Sequence, residues 1–244
     1  MTHPARMSLS NAKDTAYDRL FELEVARALA AQVVIAVEYI HSKGFAHGAI
    51  TRFDGKELSP CIPSHAVLPI CIGEASDKLG LSEAKILLSD FGDVCSPAKK
   101  NKFISHTPQI YRAPETRFEP AQPLSFPSDI WSLACLIWEI VGESSLFEAF
   151  PPNEDNMTRQ HVDALGILPP KWWKKWETRG NKFSEHGQPM NRSGYRGSYR
   201  SWEGRFEDSV QQPRRAARMQ VFESAEKKAL FSMLKSMLSW GSHV

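Results

Sequence analysis

The sequence predicts a mainly α fold with a few short strands, and three observations carry that expectation. Between Glu24 and His41, Val25, Leu29, Val33, Val37 and Ile40 recur at spacings of three and four, the period of a helix that buries one stripe. From Ile130 to Val141 almost no polar face remains, so a helix there must be surrounded by protein. Near the end, Leu230, Met233, Leu234, Met237 and Leu238 mark one stripe of a last helix running from about Ser224 to Trp240.

Taken in order, the first helix is expected to stop at Lys43-Gly44, because glycine tolerates the backbone conformation that ends a helix. Thr51 to Gly80 changes character. Its prolines at Pro60, Pro63 and Pro69 read as a connection, with one short apolar run, Ala66 to Ile72, that can form a strand. Lys85 to Ser89 reads as a second short strand leading straight into Asp90-Phe91-Gly92, where the glycine permits a sharp change of direction. Ser128 is the expected N-cap of the apolar helix, Asp129 suits the positive end of its dipole, and Gly142 suits its stop. Between Thr178 and Arg205 aliphatic residues nearly vanish while Gly, Ser, Asn and Arg accumulate, so residues 178–205 are expected to be a mobile surface excursion.

Composition bounds the function. At 244 residues with 42% hydrophobic side chains, the chain can bury one substantial core or two small ones. Thirty basic against 28 acidic residues leave a formal charge of +2, too little for a broad nucleic-acid or acidic-membrane footprint. Cys61, Cys71, Cys95 and Cys135 lack the close paired spacing of a zinc or redox motif and are expected to be free thiols of a reducing compartment, cytoplasmic or nuclear. No apolar run reaches the roughly 18 to 20 residues that cross a bilayer, so no membrane partner is expected.

Three short motifs stand in one order: Asp90-Phe91-Gly92, Ala113-Pro114-Glu115, and Asp129-Ile130-Trp131-Ser132 opening the apolar helix. Together they resemble eukaryotic protein kinases, in which the first supplies a magnesium-binding aspartate, the second closes the activation segment, and the third begins the central large-lobe helix. His41-Ser42-Lys43-Gly44-Phe45-Ala46-His47-Gly48 is similar to the approach to a kinase catalytic loop in the variant form with glycine after the histidine. Leu168-Pro169-Pro170 followed by Trp172, Trp173 and Trp176 narrows the resemblance to fungal serine/threonine kinases related to the SR-protein kinases, which act on Arg/Ser-rich segments. It covers about residues 8–240 of a single 1–244 domain and implies a kinase C-terminal (large) lobe, with ATP and magnesium as the family's cofactors.

The departures are as informative. The slot of the proton-accepting aspartate holds Ala49, and Asp54 falls where a metal-binding asparagine belongs, although Phe53-Asp54-Gly55-Lys56 also reads as ordinary turn chemistry. Residues before the first large-lobe helix show no glycine-rich loop, strand lysine or helix glutamate, so the N-terminal lobe is expected to be absent. The family continues past a segment like Met237-Leu238-Ser239-Trp240 to an arginine that pairs with the motif glutamate, so Glu115 is left without its expected partner. Asp90 is the one candidate metal ligand, no residue qualifies as catalytic, and ATP with magnesium is not expected to bind productively.

The expectation is therefore an inactive kinase-like chain. Its alternatives are a pseudokinase that binds a protein or an Arg/Ser-rich peptide, aided by Glu143, Glu148, Glu154 and Asp155, or part of an active SR-protein-kinase-like enzyme. His47 and Asp129 are expected to be structural. Lys171 to Trp176 interleaves lysine and tryptophan in a manner that suits single-stranded nucleic acid, but one-sided tryptophans at helical spacing suit core packing better. Arg192-Ser193, Tyr195-Arg196 and Tyr199-Arg200-Ser201 read as a solvated loop, with RNA binding or Arg-Ser phosphorylation as the alternatives. Cys95 reads as a packing residue rather than a reactive thiol.

Overall fold

A computed structural model describes residues 7–48, 73–89, 91–99, 101–149, 153–190 and 200–240. It is mainly helical: α1 (Leu9–Asp14), α2 (Leu23–Ser42), α3 (Glu115–Phe118), α4 (Phe126–Val141), α5 (Glu154–Leu165), α6 (Pro170–Lys175), α7 (Trp202–Phe206), α8 (Gln212–Ala216) and α9 (Ser224–Met237). Among the described residues the only β-pairings are two isolated antiparallel bridges, Ala46 with Cys95 and Phe183 with Pro189. Lys85 to Ser89, expected as a strand, does not form one. Its main chain pairs with a side chain from α2 instead: Ile86 donates its N–H to Gln32 Oε1, and Gln32 Nε2 donates to the Ala84 carbonyl. The other expected strand, Ala66 to Ile72, lies outside the described residues.

Helix α4 is the axis of the core. Trp131, Leu133, Ala134, Cys135, Ile137, Trp138 and Ile140 are all buried, as a helix apolar on every side requires. Val25, Leu29, Val33 and Val37 of α2 pack on it from one side, and Trp202, Phe206, Phe231, Leu234 and Leu238 belong to the same cluster. The buried stripe of the last helix runs through Phe231, Leu234 and Leu238, whereas Met233 is exposed. Lysines 227 and 235 lie over the faces of Phe206, Phe231 and Trp202, so this end of the core is closed by aromatic rings under cations.

The start of α4 differs from the sequence expectation. Ser125, not Ser128, is the N-cap, and Pro127 sits inside the first turn, where its missing N–H costs nothing. Ser128, freed from capping, donates its hydroxyl to Glu115 Oε1 at 2.9 Å. The end of α4 is closed by two buried cations. Lys13 Nζ donates to the carbonyls of Glu139 (2.6 Å) and Gly142 (2.7 Å), and Arg214 donates to those of Val141 and Phe21. Both charges sit at the negative end of the helix dipole and satisfy carbonyls that the helix itself leaves without donors.

A π turn over Glu207–Gln211 joins α7 to α8. Pro213 has no N–H to return to the carbonyl four residues back, and that carbonyl, of Ser209, accepts from the N–H of Glu143 at 2.7 Å instead. The helix break thereby becomes a tie to the end of α4. The region expected as one mobile excursion has defined structure at both ends. Glu177–Asn181 forms a 3-10 turn, Phe183 is buried, and Trp202 and Arg205 are buried beyond it, while residues 191–199 lie outside the described set. Sparse aliphatic content misled because tryptophan, phenylalanine and the methylene stem of arginine supply the apolar surface there.

Candidate functional site

The best-defined polar cluster forms where α2 ends against the start of α4. Lys43 and Gly44 terminate α2, with Gly44 at φ +78° and its N–H on the His41 carbonyl. The chain then turns back so that Ala46 bridges Cys95, which delivers His47 and Gly48 to the carboxylate of Asp129. That carboxylate accepts from the His47 N–H at 2.6 Å and the Gly48 N–H at 2.9 Å, and lies 3.0 Å from His41 Nε2. Asp129 is buried, so the two amides and the imidazole replace the water its carboxylate gave up. The sequence expectation of a structural Asp129 receiving loop amides is met, and His41 is an addition that the motif alone did not signal.

His47 is fully buried and structural. Its Nε2 lies 3.0 Å from the Ser89 carbonyl, and its ring lies 5.2 Å from that of Phe91. Gly48 takes φ +76°, and a Cβ there would stand 2.7 Å from the Asp93 carbonyl oxygen, so backbone approach as well as conformation demands glycine. Asp93 in turn holds the segment that follows. Lys102 Nζ reaches its Oδ1 at 2.6 Å and its carbonyl at 2.8 Å, and His106 Nδ1 lies 2.9 and 3.0 Å from the two carboxylate oxygens. Burial alone would raise the Asp93 carboxyl, but hydrogen bonds and charge from Lys102 and His106 outweigh it and hold it down to about 2. Thr107 closes the loop with its hydroxyl on the Gly48 carbonyl, and Arg112 grips the Thr107 carbonyl through two nitrogens at 2.9 and 2.7 Å.

Below this lies the Arg112-Ala113-Pro114-Glu115 segment. Tyr111 donates its hydroxyl to Glu139, and Ser132 Oγ donates to the Tyr111 carbonyl at 3.0 Å. Glu115 accepts a hydrogen bond from Ser128 in the first turn of α4. Asp90, Ala49 and Asp54 lie outside the described residues. Among the described residues no group of three His, Cys, Asp or Glu side chains clusters to hold a metal.

A second polar region surrounds the tryptophan helix. Trp172, Trp173 and Trp176 are buried with Phe118, Val162, Leu168 and Phe183, the packing that their one-sided spacing anticipates. Their polar edges meet carboxylates: Trp172 Nε1 donates to Glu119 at 3.1 Å, and Trp176 Nε1 donates to Asp155 at 2.9 Å. Arg117 also binds Asp155, at 2.5 Å, and lies 3.7 Å from Glu154. Burial raises the Asp155 carboxyl, yet bonds from Arg117, Thr178 and Trp176 leave it below the usual range. Glu148 stands 3.9 Å from Arg200. The indoles are packed inward, while the carboxylates of Glu154 and Glu148 stay exposed at the rim. Cys95 and Cys135 are free and buried, and burial pushes both thiols up, away from reactivity. Cys61 and Cys71 lie outside the described residues.

No protein-family model matches the chain. Curated relatives do. The serine/threonine-protein kinase AFC1 of Arabidopsis thaliana is 27% identical over 178 residues, covering 71% of this chain and 37% of the relative. The dual specificity protein kinase CLK2 of Homo sapiens is 25% identical over 229 residues, covering 90% of this chain and 40% of the relative. A serine/threonine protein kinase of Aspergillus fumigatus is 29% identical over 160 residues, covering 63% of this chain and 35% of the relative. The chain thus spans well under half the length of the relatives it matches.

Proposed function

We propose that this chain, which is related to the protein kinase superfamily, works as a kinase-like large lobe that holds a protein partner and does not transfer phosphate. The observation that carries this reading is the Asp129 clamp. It shapes the loop at His47 and Gly48 through two amide bonds, yet the next residue in the chain is Ala49, whose methyl group cannot take a proton from a substrate hydroxyl. The scaffold of the loop is kept while the group that would do its chemistry is not. Phosphoryl transfer draws nearly all its acceleration from positioning and charge stabilisation, so that loss is not made good by the fold.

The partner class that the surface suits is a cationic, Arg/Ser-rich segment of another protein, met in the cytoplasm or nucleus. Glu154 and Glu148 keep 60% and 51% of their side chains exposed, and each already faces a guanidinium of its own chain. A peptide arginine makes the same contact without stranding a desolvated carboxylate. Fluorescence anisotropy of a labelled Arg-Ser repeat peptide tests this: saturable binding is expected, weakened by salt and by the Glu148→Gln/Glu154→Gln double variant. A peptide that fails to bind at low ionic strength refutes the partner assignment.

One observation favours a second reading, in which the chain is part of an active SR-protein-kinase-like enzyme: it spans only 37% and 40% of the plant and human relatives. The coding sequence upstream of Met1 and between the codons for Gly48 and Ala49 separates the two. An in-frame glycine-rich loop and a catalytic aspartate there establish the enzyme.

A further inference from the structure

Arg200-Ser201, a pair of the kind that an Arg/Ser-rich partner would present, rests on the chain's own carboxylates. The Arg200 guanidinium reaches two acids from different elements. Its Nη2 donates to Asp208 Oδ2 at 3.1 Å, in the π turn after α7, and its Nη1 lies 3.9 Å from Glu148 Oε2, in the stretch that follows α4.

The main chain beneath this contact is fixed from the core side. Arg205 is buried, and it donates from Nε to the Arg200 carbonyl and from Nη1 to the Leu146 carbonyl, both at 3.0 Å. One buried guanidinium thus ties the backbone that carries Arg200 to the backbone that carries Glu148. Ser201 then caps α7, accepting from the Gly204 N–H at 3.1 Å, which sets Arg200 at the entrance to that helix. Little further ordering is needed for the Arg200 side chain to meet its acids.

The two arginines at the charged rim are held to different degrees. Arg117 is half-buried and donates to Asp155, the Glu154 carbonyl and the Thr158 hydroxyl at 2.5, 2.6 and 2.5 Å, so it belongs to the structure around α5. Arg200 has 36% of its side chain exposed, and Glu148 and Asp208 keep 51% and 58% of theirs. An exposed ion pair of this kind shifts an equilibrium by roughly fivefold at most, so an arginine from outside can take the place of Arg200. That arginine finds two carboxylates already placed to share one guanidinium.

We propose that Arg200 is an internal competitor: on Glu148 and Asp208 it occupies the place that an arginine of an Arg/Ser-rich partner takes, and the partner displaces it to bind. This regulation rests on the partner reading above and brings Asp208 into the rim beside Glu148. Because Arg200 is tethered, its competition does not depend on protein concentration, and the rim binds a partner more weakly than its exposed carboxylates alone would.

The test is the affinity of a labelled Arg-Ser repeat peptide at low ionic strength, by fluorescence anisotropy, for the wild type, Arg200→Gln and Arg27→Gln. The last variant removes the same charge from an exposed ion pair between α2 and α9, with Glu226, and controls for net charge. Arg200→Gln is expected to bind about two- to fivefold more tightly than the wild type, and Arg27→Gln to bind as the wild type does. An Arg200→Gln affinity equal to or below that of the wild type, or the same gain in Arg27→Gln, overturns the competitor and leaves the partner reading in place. No binding by any of the three refutes that reading and the competitor with it.

Discussion

Asp129 shows what a single buried carboxylate does here. With two amides and His41 converging on it, Asp129→Ala would leave three donors facing an apolar space, a loss on the order of 3 kcal/mol in unfolding free energy. Chemical denaturation of the variant measures it, and a loss within experimental error of zero would mean that the loop is held by other contacts. Two further residues contribute to the dependence of stability on pH in opposite windows. Asp93 is held at about 2 from an ordinary value of 3.8, so its contribution is fully present above about 4 and is lost as pH falls through 2, on the order of 2 kcal/mol. Lys13 runs the other way. Burial lowers its amine to about 8 from 10.5, so the unfolded chain binds the extra proton between those values and stability rises with pH across that window. Lys13→Met should flatten the alkaline rise and leave the acid limb in place. An unchanged alkaline limb in that variant would place its cause elsewhere.

The helices divide into those whose residues announce their environment and those that depend on distant partners. Helix α4 was legible because an apolar surface on every side admits only a buried position, and α2 because its stripe repeats without interruption. Helix α6 was legible in kind, since three tryptophans on one side anchor a peripheral helix. Trp176 is fully buried with its indole N–H on Asp155, so Trp176→Ala should cost about 3–5 kcal/mol. Lys171→Ala, at a side chain 67% exposed, should stay within about 0.5 kcal/mol. Thermal melts of the pair check this, and equal losses would contradict the assignment of the indoles to the core. What escaped the sequence has a common cause. The Ser128–Glu115 bond and the grip of Lys102 and His106 on Asp93 join residues that are 9 to 13 apart and follow no helical or strand period. The 85–89 segment read as a strand because five residues favour extension, but extension needs a partner, and Gln32 provided it from a helix.

At the scale of the whole molecule, a kinase-like helical lobe is assembled around α4, and the Asp129 carboxylate fixes the chain at His47 and Gly48. That carboxylate holds the main chain of the two residues, and in the proposed function it is the side chain of the next residue, Ala49, that lacks the carboxylate phosphotransfer needs. The proposed reading is that architecture and activity separate here, since the first rests on backbone hydrogen bonds and the second on one carboxylate. The decisive measurement is transfer of radiolabelled phosphate from ATP in the presence of magnesium onto Arg/Ser-rich peptide by the purified chain. No label above that of a protein-free control is predicted. Turnover that Asp90→Asn abolishes would contradict the account.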